Sequence, residues 1–333
     1  MTEKKDRLDY LDYLRVIACF SVIIVHVSAM GIVSSESGSY FHKGIILLNR
    51  FFKYTTPVFL FLSGITSFYG YRNREYKYLD FLRRRLKTVV VPFFLWSSIY
   101  YGILVYIGAY TFSILFYIKN LILGNMSYHL YFIPILLQMY FLSGLINYLF
   151  NKLNRKTVLI IAFVINIISL KMHFPFSDRF FSKYIFFYIL GVYLTKEYKT
   201  FLGFSRKIKI QSFIIFLAST FFYAVFYYFK RYNLMDYAWI SFSISGIFFL
   251  FNISISIENK GFFKNKQIRK LSKSTYYIYL IHPLILSFVS RVLPIGKYNL
   301  TGILIIYLIS TIGISTLLSV GYNEFKINTI KKA

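Results

Sequence analysis

The sequence predicts an all-α integral membrane protein of about ten transmembrane helices, with both termini on the cytoplasmic side. Three observations predict it. First, 57% of the 333 residues are hydrophobic and only 15% are charged, whereas a soluble domain carries about 25% charge. Second, the apolar residues form long runs such as TVVVPFFLWSSIYYGILVYIGAYTF at 88–112. No small soluble core could bury them, and hydrocarbon can. Third, basic residues alternate between dense and sparse loops, the pattern that sets membrane orientation. A soluble enzyme, a disordered chain and a disulfide scaffold are thereby excluded.

The expected spans, in order, are 11–33, 51–71, 88–110, 129–150, 157–170, 184–195, 211–229, 237–257, 275–293 and 300–322. Most have the roughly 20 residues that cross ~30 Å of hydrocarbon. The fifth and sixth are short, as a re-entrant or tilted segment would be. The segment 111–128 is apolar but broken by Lys119, Gly124 and Asn125, and is expected at the outer interface. The chain reads as one transmembrane domain over 1–333, with no soluble domain and no internal repeat.

Orientation follows from Lys and Arg. Of the 39 basic residues, 27 fall in the terminal segments and loops that are cytoplasmic if the N-terminus is inside, and eight fall in the opposite loops. Arg15, Arg50, Lys53 and Arg291 lie in or at spans. The net charge of +27 follows this topology and does not signal nucleic acid. Residues 1–30 resemble a signal peptide in their basic start and apolar middle. Asp12 and Arg15 intrude on that run, and the later loops fit a retained helix. The single cysteine, Cys19, excludes an intramolecular disulfide and any cysteine-based metal site.

Ionisable residues inside a span are expensive and point to function. The first span, LDYLRVIACFSVIIVHVSA, has the best set. Arg15 and His26 are eleven residues apart, which at 100° per residue brings them within about 20° of one face and about 16 Å apart along the axis. Asp12 lies one turn before Arg15 on the same stripe. His26 can serve as a base that deprotonates a hydroxyl. Arg15 can anchor an anion or balance the site's charge. The plainer alternative pairs Asp12 with Arg15 at the interface and gives His26 a hydrogen bond to a neighbouring helix.

The basic loop into the third span, YLDFLRRRLKTVVVPFFLW, sets Arg83, Arg84, Arg85 and Lys87 beside the membrane. They either anchor topology and bind anionic lipid or grip a phosphate-rich cytosolic ligand. Pro92 is expected to bend the first turns of that helix. His282 is followed by Pro283, which frees a backbone carbonyl beside the histidine. Its role is a substrate contact or a helix–helix hydrogen bond. His129 opens the fourth span as a substrate contact or an interfacial cap, with Gln138 deeper. His42 and His173 are expected in solvated outer loops. No Walker A sequence, metal-ligand spacing, dinucleotide fingerprint or G-x-S-x-G elbow is present.

The sequence resembles the membrane acyltransferase-3 family. The resemblance rests on LDYLRVIACFSVIIVH, with its Arg, ten residues, His spacing; on TTPVFLFLSG, with Pro57, Ser63 and Gly64; on RRRLKTVVVPF; on YHLYFIP; and on IYLIHP. Thr88 stands where many members have a further arginine, and Tyr131 where tryptophan is frequent. The resemblance implies transfer of an acyl group, usually acetyl from acetyl-CoA, to a sugar hydroxyl of a surface polysaccharide or its lipid-linked precursor. It makes His26 the candidate catalytic residue with Arg15 as its partner, and the stripe adds Asp12 to the pair. It turns Arg84, Arg85 and Lys87 towards the CoA donor, and leaves His129, His282 and Ser63 as substrate or structural residues.

The resemblance implies no resident cofactor and no metal. Acetyl-CoA is the donor substrate, a polysaccharide or glycolipid the acceptor, and membrane lipids and the polysaccharide synthesis machinery are the expected partners, in a bacterial plasma membrane. The chain looks like the short members that lack a C-terminal esterase-like domain, the capsule and intercellular-adhesin types. From those comes a second expectation, a polysaccharide exporter or an O-succinyltransferase.

Overall fold

The computed structural model describes residues 8–71, 75–261 and 265–332. Every regular element among them is helical. In chain order these are α1 (Tyr10–Ser34), α2 (Tyr40–Phe51), α3 (Thr55–Phe68), α4 (Tyr78–Tyr106), α5 (Ile114–Leu123), α6 (Phe132–Lys152) and α7 (Arg155–Ser169). They continue with α8 (Ile185–Lys196), α9 (Tyr198–Lys207), α10 (Lys209–Tyr228), α11 (Tyr232–Lys260), α12 (Asn265–Val292) and α13 (Leu300–Lys332). Short 3₁₀ turns follow α3 and precede α8.

Each stretch expected to span is largely helical, the second being broken at residues 52–54. Among the described residues, seven helices are long and apolar enough to cross a membrane, with α2 and α3 counted as one broken segment over Tyr40–Tyr71. The helices α7 and α8 have 15 and 12 residues, about 22 and 18 Å of rise, which is short of the hydrocarbon thickness. The 28 residues of α12 begin with the polar stretch NKQIRKLSKS.

The structure corrects four local expectations. The basic segment is not a loop: α4 starts at Tyr78, so Arg83, Arg84, Arg85 and Lys87 lie on its early turns and Pro92 lies inside the helix. The outer loop 34–46 is mostly helical. Ser39 caps α2 by accepting from the His42 amide at 3.1 Å, a cap that satisfies one of the unpaired amides of a helix start. His42 is accordingly half-buried and helical, and not in a solvated loop. His129 does not open the fourth span, because α6 begins three residues later at Phe132. The apolar segment 111–128 contains the helix α5. Ser113 caps its start and Gly124, at φ +65°, ends it. A Cβ at Gly124 would strike the Leu130 carbonyl.

The chain divides into two compact units, one of residues 1–58 and 205–333 and the other of 59–204. In the first, α1 is central and packs against α2, α11, α12 and α13, while α10 pairs with α11 and α2. In the second, α8 is buried along its whole length from Ile185 to Thr195, as a helix apolar on all sides must be. Gly64 of α3 and Gly191 of α8 permit a backbone-to-backbone crossing. A Cβ on Gly64 would meet the Tyr188 carbonyl, and one on Gly191 the Phe61 carbonyl. Small residues at such crossings let membrane helices pack closely.

Candidate functional site

The polar face of α1 is satisfied by α12, rung by rung. Arg269 binds Asp9 through a bidentate contact, with Nη2 to Oδ2 at 2.7 Å and to Oδ1 at 3.1 Å. Ser272 donates to Asp12 Oδ1 at 2.6 Å and accepts from Arg15 Nη1 at 2.7 Å. Arg15 also reaches Asp12 Oδ1 at 3.2 Å. The Cys19 thiol lies 3.5 Å from the Thr275 carbonyl. His26 then stacks on His282, ring centroids 5.4 Å apart and planes 26° from parallel. Residue numbers rise together on both helices, so α1 and α12 run parallel.

This ladder establishes the single stripe expected from the spacing of Arg15 and His26. It also divides the stripe by chemistry. Asp12 is buried, and its charge is cancelled by Arg15 with a serine closing the ring of bonds. Arg15 therefore binds within the Asp12–Ser272 cluster, about 16 Å of helix rise from His26.

Pro283 explains how His282 is held. In an α-helix the carbonyl of residue 279 accepts from the amide of residue 283. Proline has no amide hydrogen, so the Tyr279 carbonyl is released. His282 Nδ1 lies 2.8 Å from that carbonyl and 3.2 Å from the Ile278 carbonyl. A carbonyl oxygen only accepts, so Nδ1 carries the proton and donates. In the neutral ring the lone pair is then at Nε2. The His-Pro pair thus sets its own ring orientation and tautomer, the job usually done by a second residue behind a catalytic or metal-binding histidine.

On the other face of α1, the junction of α2 and α3 is fastened at the level of His26. Asn49 donates to the Val25 carbonyl at 2.8 Å and to Ser28 Oγ at 2.9 Å. The Tyr54 and Ser21 hydroxyls meet at 2.7 Å.

The second unit places its own candidates. Arg85 donates to the Thr66 carbonyl at 2.6 Å and lies 5.5 and 5.6 Å from the rings of Phe81 and Tyr140. Arg84 bonds the Tyr71 hydroxyl. Arg83, Arg84 and Lys87 are exposed. Ser63 is buried and donates to the Tyr140 hydroxyl at 3.3 Å. His129 is buried; its Nδ1 lies 3.0 Å from Ser127 Oγ and its ring meets Tyr100 edge-on. Gln138 ties α6 to the 3₁₀ turns, donating to the Arg179 carbonyl and accepting from the Phe181 amide. Tyr76, just before α4, donates to Ser143 at 2.8 Å. Burial pushes its phenol up to about 12, although the Ser143 bond acts the other way.

The model of the acyltransferase domain family matches residues 8–320, nearly the whole chain. The chain belongs to the acyltransferase-3 family. It is therefore a multi-pass membrane acyltransferase. Among its relatives, a probable poly-β-1,6-N-acetyl-D-glucosamine export protein of Staphylococcus aureus strain MSSA476 is 25% identical, over 97% of this chain and 95% of the relative. A protein of the same name in Staphylococcus epidermidis is 25% identical over 97% and 94%. A Bacillus subtilis strain 168 protein, named only as a candidate membrane-bound acyltransferase, is 27% identical over 57% of each chain. No solved structure matches the acyltransferase.

Sequence reasoning missed three features of this acyltransferase. Ser272 gives no sequence signal, because one serine among many becomes a partner only through helix packing. The pairing of His282 with His26 joins residues 256 apart; the Pro283 signal was visible, its target was not. Arg50 and Lys53 were legible as charges within a span, but their surroundings were not.

Proposed function

We propose that this acyltransferase moves an acetyl group from acetyl-CoA to a sugar hydroxyl of a cell-surface polysaccharide or its lipid-linked precursor. The observation that carries the reading is the His26–His282 pair, a half-buried ring stacked on a fully buried one that is oriented by the carbonyl Pro283 releases. His26 takes the proton of the sugar hydroxyl as its oxygen attacks the thioester carbonyl. The tetrahedral intermediate collapses, the carbon–sulfur bond breaks, and protonated His26 returns the proton to the departing thiolate. His282 positions His26 by ring stacking. Positioned base catalysis of this type contributes about 10²–10⁴-fold.

Asp12 and Arg15 hold α1 against α12 and so set the height of His26. The donor's phosphates fall to Arg84, Arg85 and Lys87, cations on early turns of α4. His129 and Ser63, buried and bonded within the second unit, are structural there. With both termini inside, the basic end of α4 is cytoplasmic, where acetyl-CoA is available.

A second reading, polysaccharide export, is favoured by the names of the staphylococcal relatives. Proton NMR of surface polysaccharide separates the two. Cells with wild-type protein, His26→Ala protein and no protein are compared. Acyl transfer is supported by an O-acetyl signal seen with the wild type alone at equal polymer yield. Unchanged acetylation in all three, with polymer retained inside cells lacking the protein, would overturn it in favour of export; an O-succinyl signal in place of the O-acetyl one would change the donor.

A further inference from the structure

The span formed by α2 and α3 is broken at residues 52–54, and the break carries two cations. Arg50 is only 4% exposed. Its guanidinium stacks on Tyr227, 3.5 Å from the ring centroid, and donates from Nη1 to the Tyr223 hydroxyl at 3.3 Å. Its buried Nε has no hydrogen-bond partner. Lys53 is half-buried. Neither cation forms an ion pair among the described residues. The two cations stand three residues apart at the same break.

Aromatic faces stabilise a buried guanidinium but do not cancel its charge. Two like charges side by side in a low-dielectric span repel each other and await a counter-ion. The contrast with Arg15 is direct, since that cation has its aspartate 3.2 Å away. The break adds a further positive field. The start of α3 at Thr55 presents a helix N-terminus, which favours anions. Broken helices near the membrane midplane are also where transport proteins place charged substrates.

We propose that the break between α2 and α3 is a binding site for an oxyanion, a carboxylate or a phosphate, carried by one of the two reactants and held at the level of His26. Arg50 is the fixed cation, held by its two tyrosines. Lys53 is the adaptable one. A carboxylate would come from the acyl group of the donor, a phosphate from a lipid-linked acceptor. The proposal rests on the acyl-transfer reading of His26.

The test uses the full-length protein in nanodiscs and its thermal unfolding by intrinsic fluorescence. Two probe pairs differ only in charge-bearing group: S-succinyl- against S-acetyl-N-acetylcysteamine, and dodecyl phosphate against 1-dodecanol. Ligands that bind only the folded state raise the midpoint. The expected result is a rise of roughly 2–4 °C with one anionic probe over its neutral counterpart. That rise is lost in Lys53→Gln and kept in His26→Ala. A rise with the succinyl probe assigns the anion to the donor, one with dodecyl phosphate to the acceptor. Arg50→Gln should also lose the rise; should that variant fail to fold, Arg50→Lys, which keeps the charge, should retain it. No rise with either anionic probe, or a rise that survives Lys53→Gln, overturns the proposal. A rise lost in Lys53→Gln while polymer acetylation ignores His26→Ala would instead sink the acyl-transfer reading and leave the anion site standing.

Discussion

The two ends of the α1–α12 stripe use the same pair of helices for opposite purposes. At one end Asp12, Arg15 and Ser272 form a closed set of bonds in which every charge has a partner. At the other, His26 and His282 meet ring to ring, and the proton on His282 is set by the backbone. A closed ion pair holds structure and resists change. An oriented imidazole keeps a nitrogen that can take a proton from a hydroxyl. The difference teaches that a charged residue in a span is not by itself a catalytic one. What its partners leave available decides the role.

That comparison can be broken by exchanging what each end is expected to lose. The largest effect is expected for His26→Ala, a drop in polymer acetylation of at least about 100-fold, read by proton NMR at unchanged protein level. His282→Ala should follow with a smaller drop, because it removes the ring that positions His26 while the base itself is retained. At the charged end, Asp12→Ala strands Arg15 against Ser272. It should cost about 3 kcal/mol of stability, seen as a lower unfolding midpoint in nanodiscs. If Asp12→Ala abolished transfer per folded molecule without moving that midpoint, the division of the stripe would be wrong.

Two smaller changes sharpen the contrast. Pro283→Ala returns an amide to residue 283, which competes with His282 Nδ1 for the Tyr279 carbonyl. A fall in acetylation of up to about tenfold is expected, equivalent to about 1.4 kcal/mol of transition-state stabilisation, with equal or greater helix stability. Unchanged acetylation would show that the carbonyl does not orient the ring. Ser272→Ala removes a bridging hydroxyl and should cost about 1 kcal/mol of stability, with acetylation per folded molecule unchanged.

The sequence alone determined the membrane class, the places of the long apolar helices and the charged face of α1. Those follow from local quantities: run length against bilayer thickness, and 100° of rotation per residue. Pro283 beside His282 was legible for the same reason, since an absent amide is a property of one residue. Helix starts were less so. The basic run at 83–87 is helical because α4 extends past its apolar part to Tyr78, and hydropathy cannot mark where a helix continues into polar residues. Only the tertiary structure decided that α12 is the helix facing α1, that Ser272 closes the Asp12–Arg15 pair, and that Arg50 finds tyrosines where Arg15 finds an aspartate. Partners more than 170 residues apart are joined by helix packing, and packing depends on the shapes of whole helices, which no local pattern encodes.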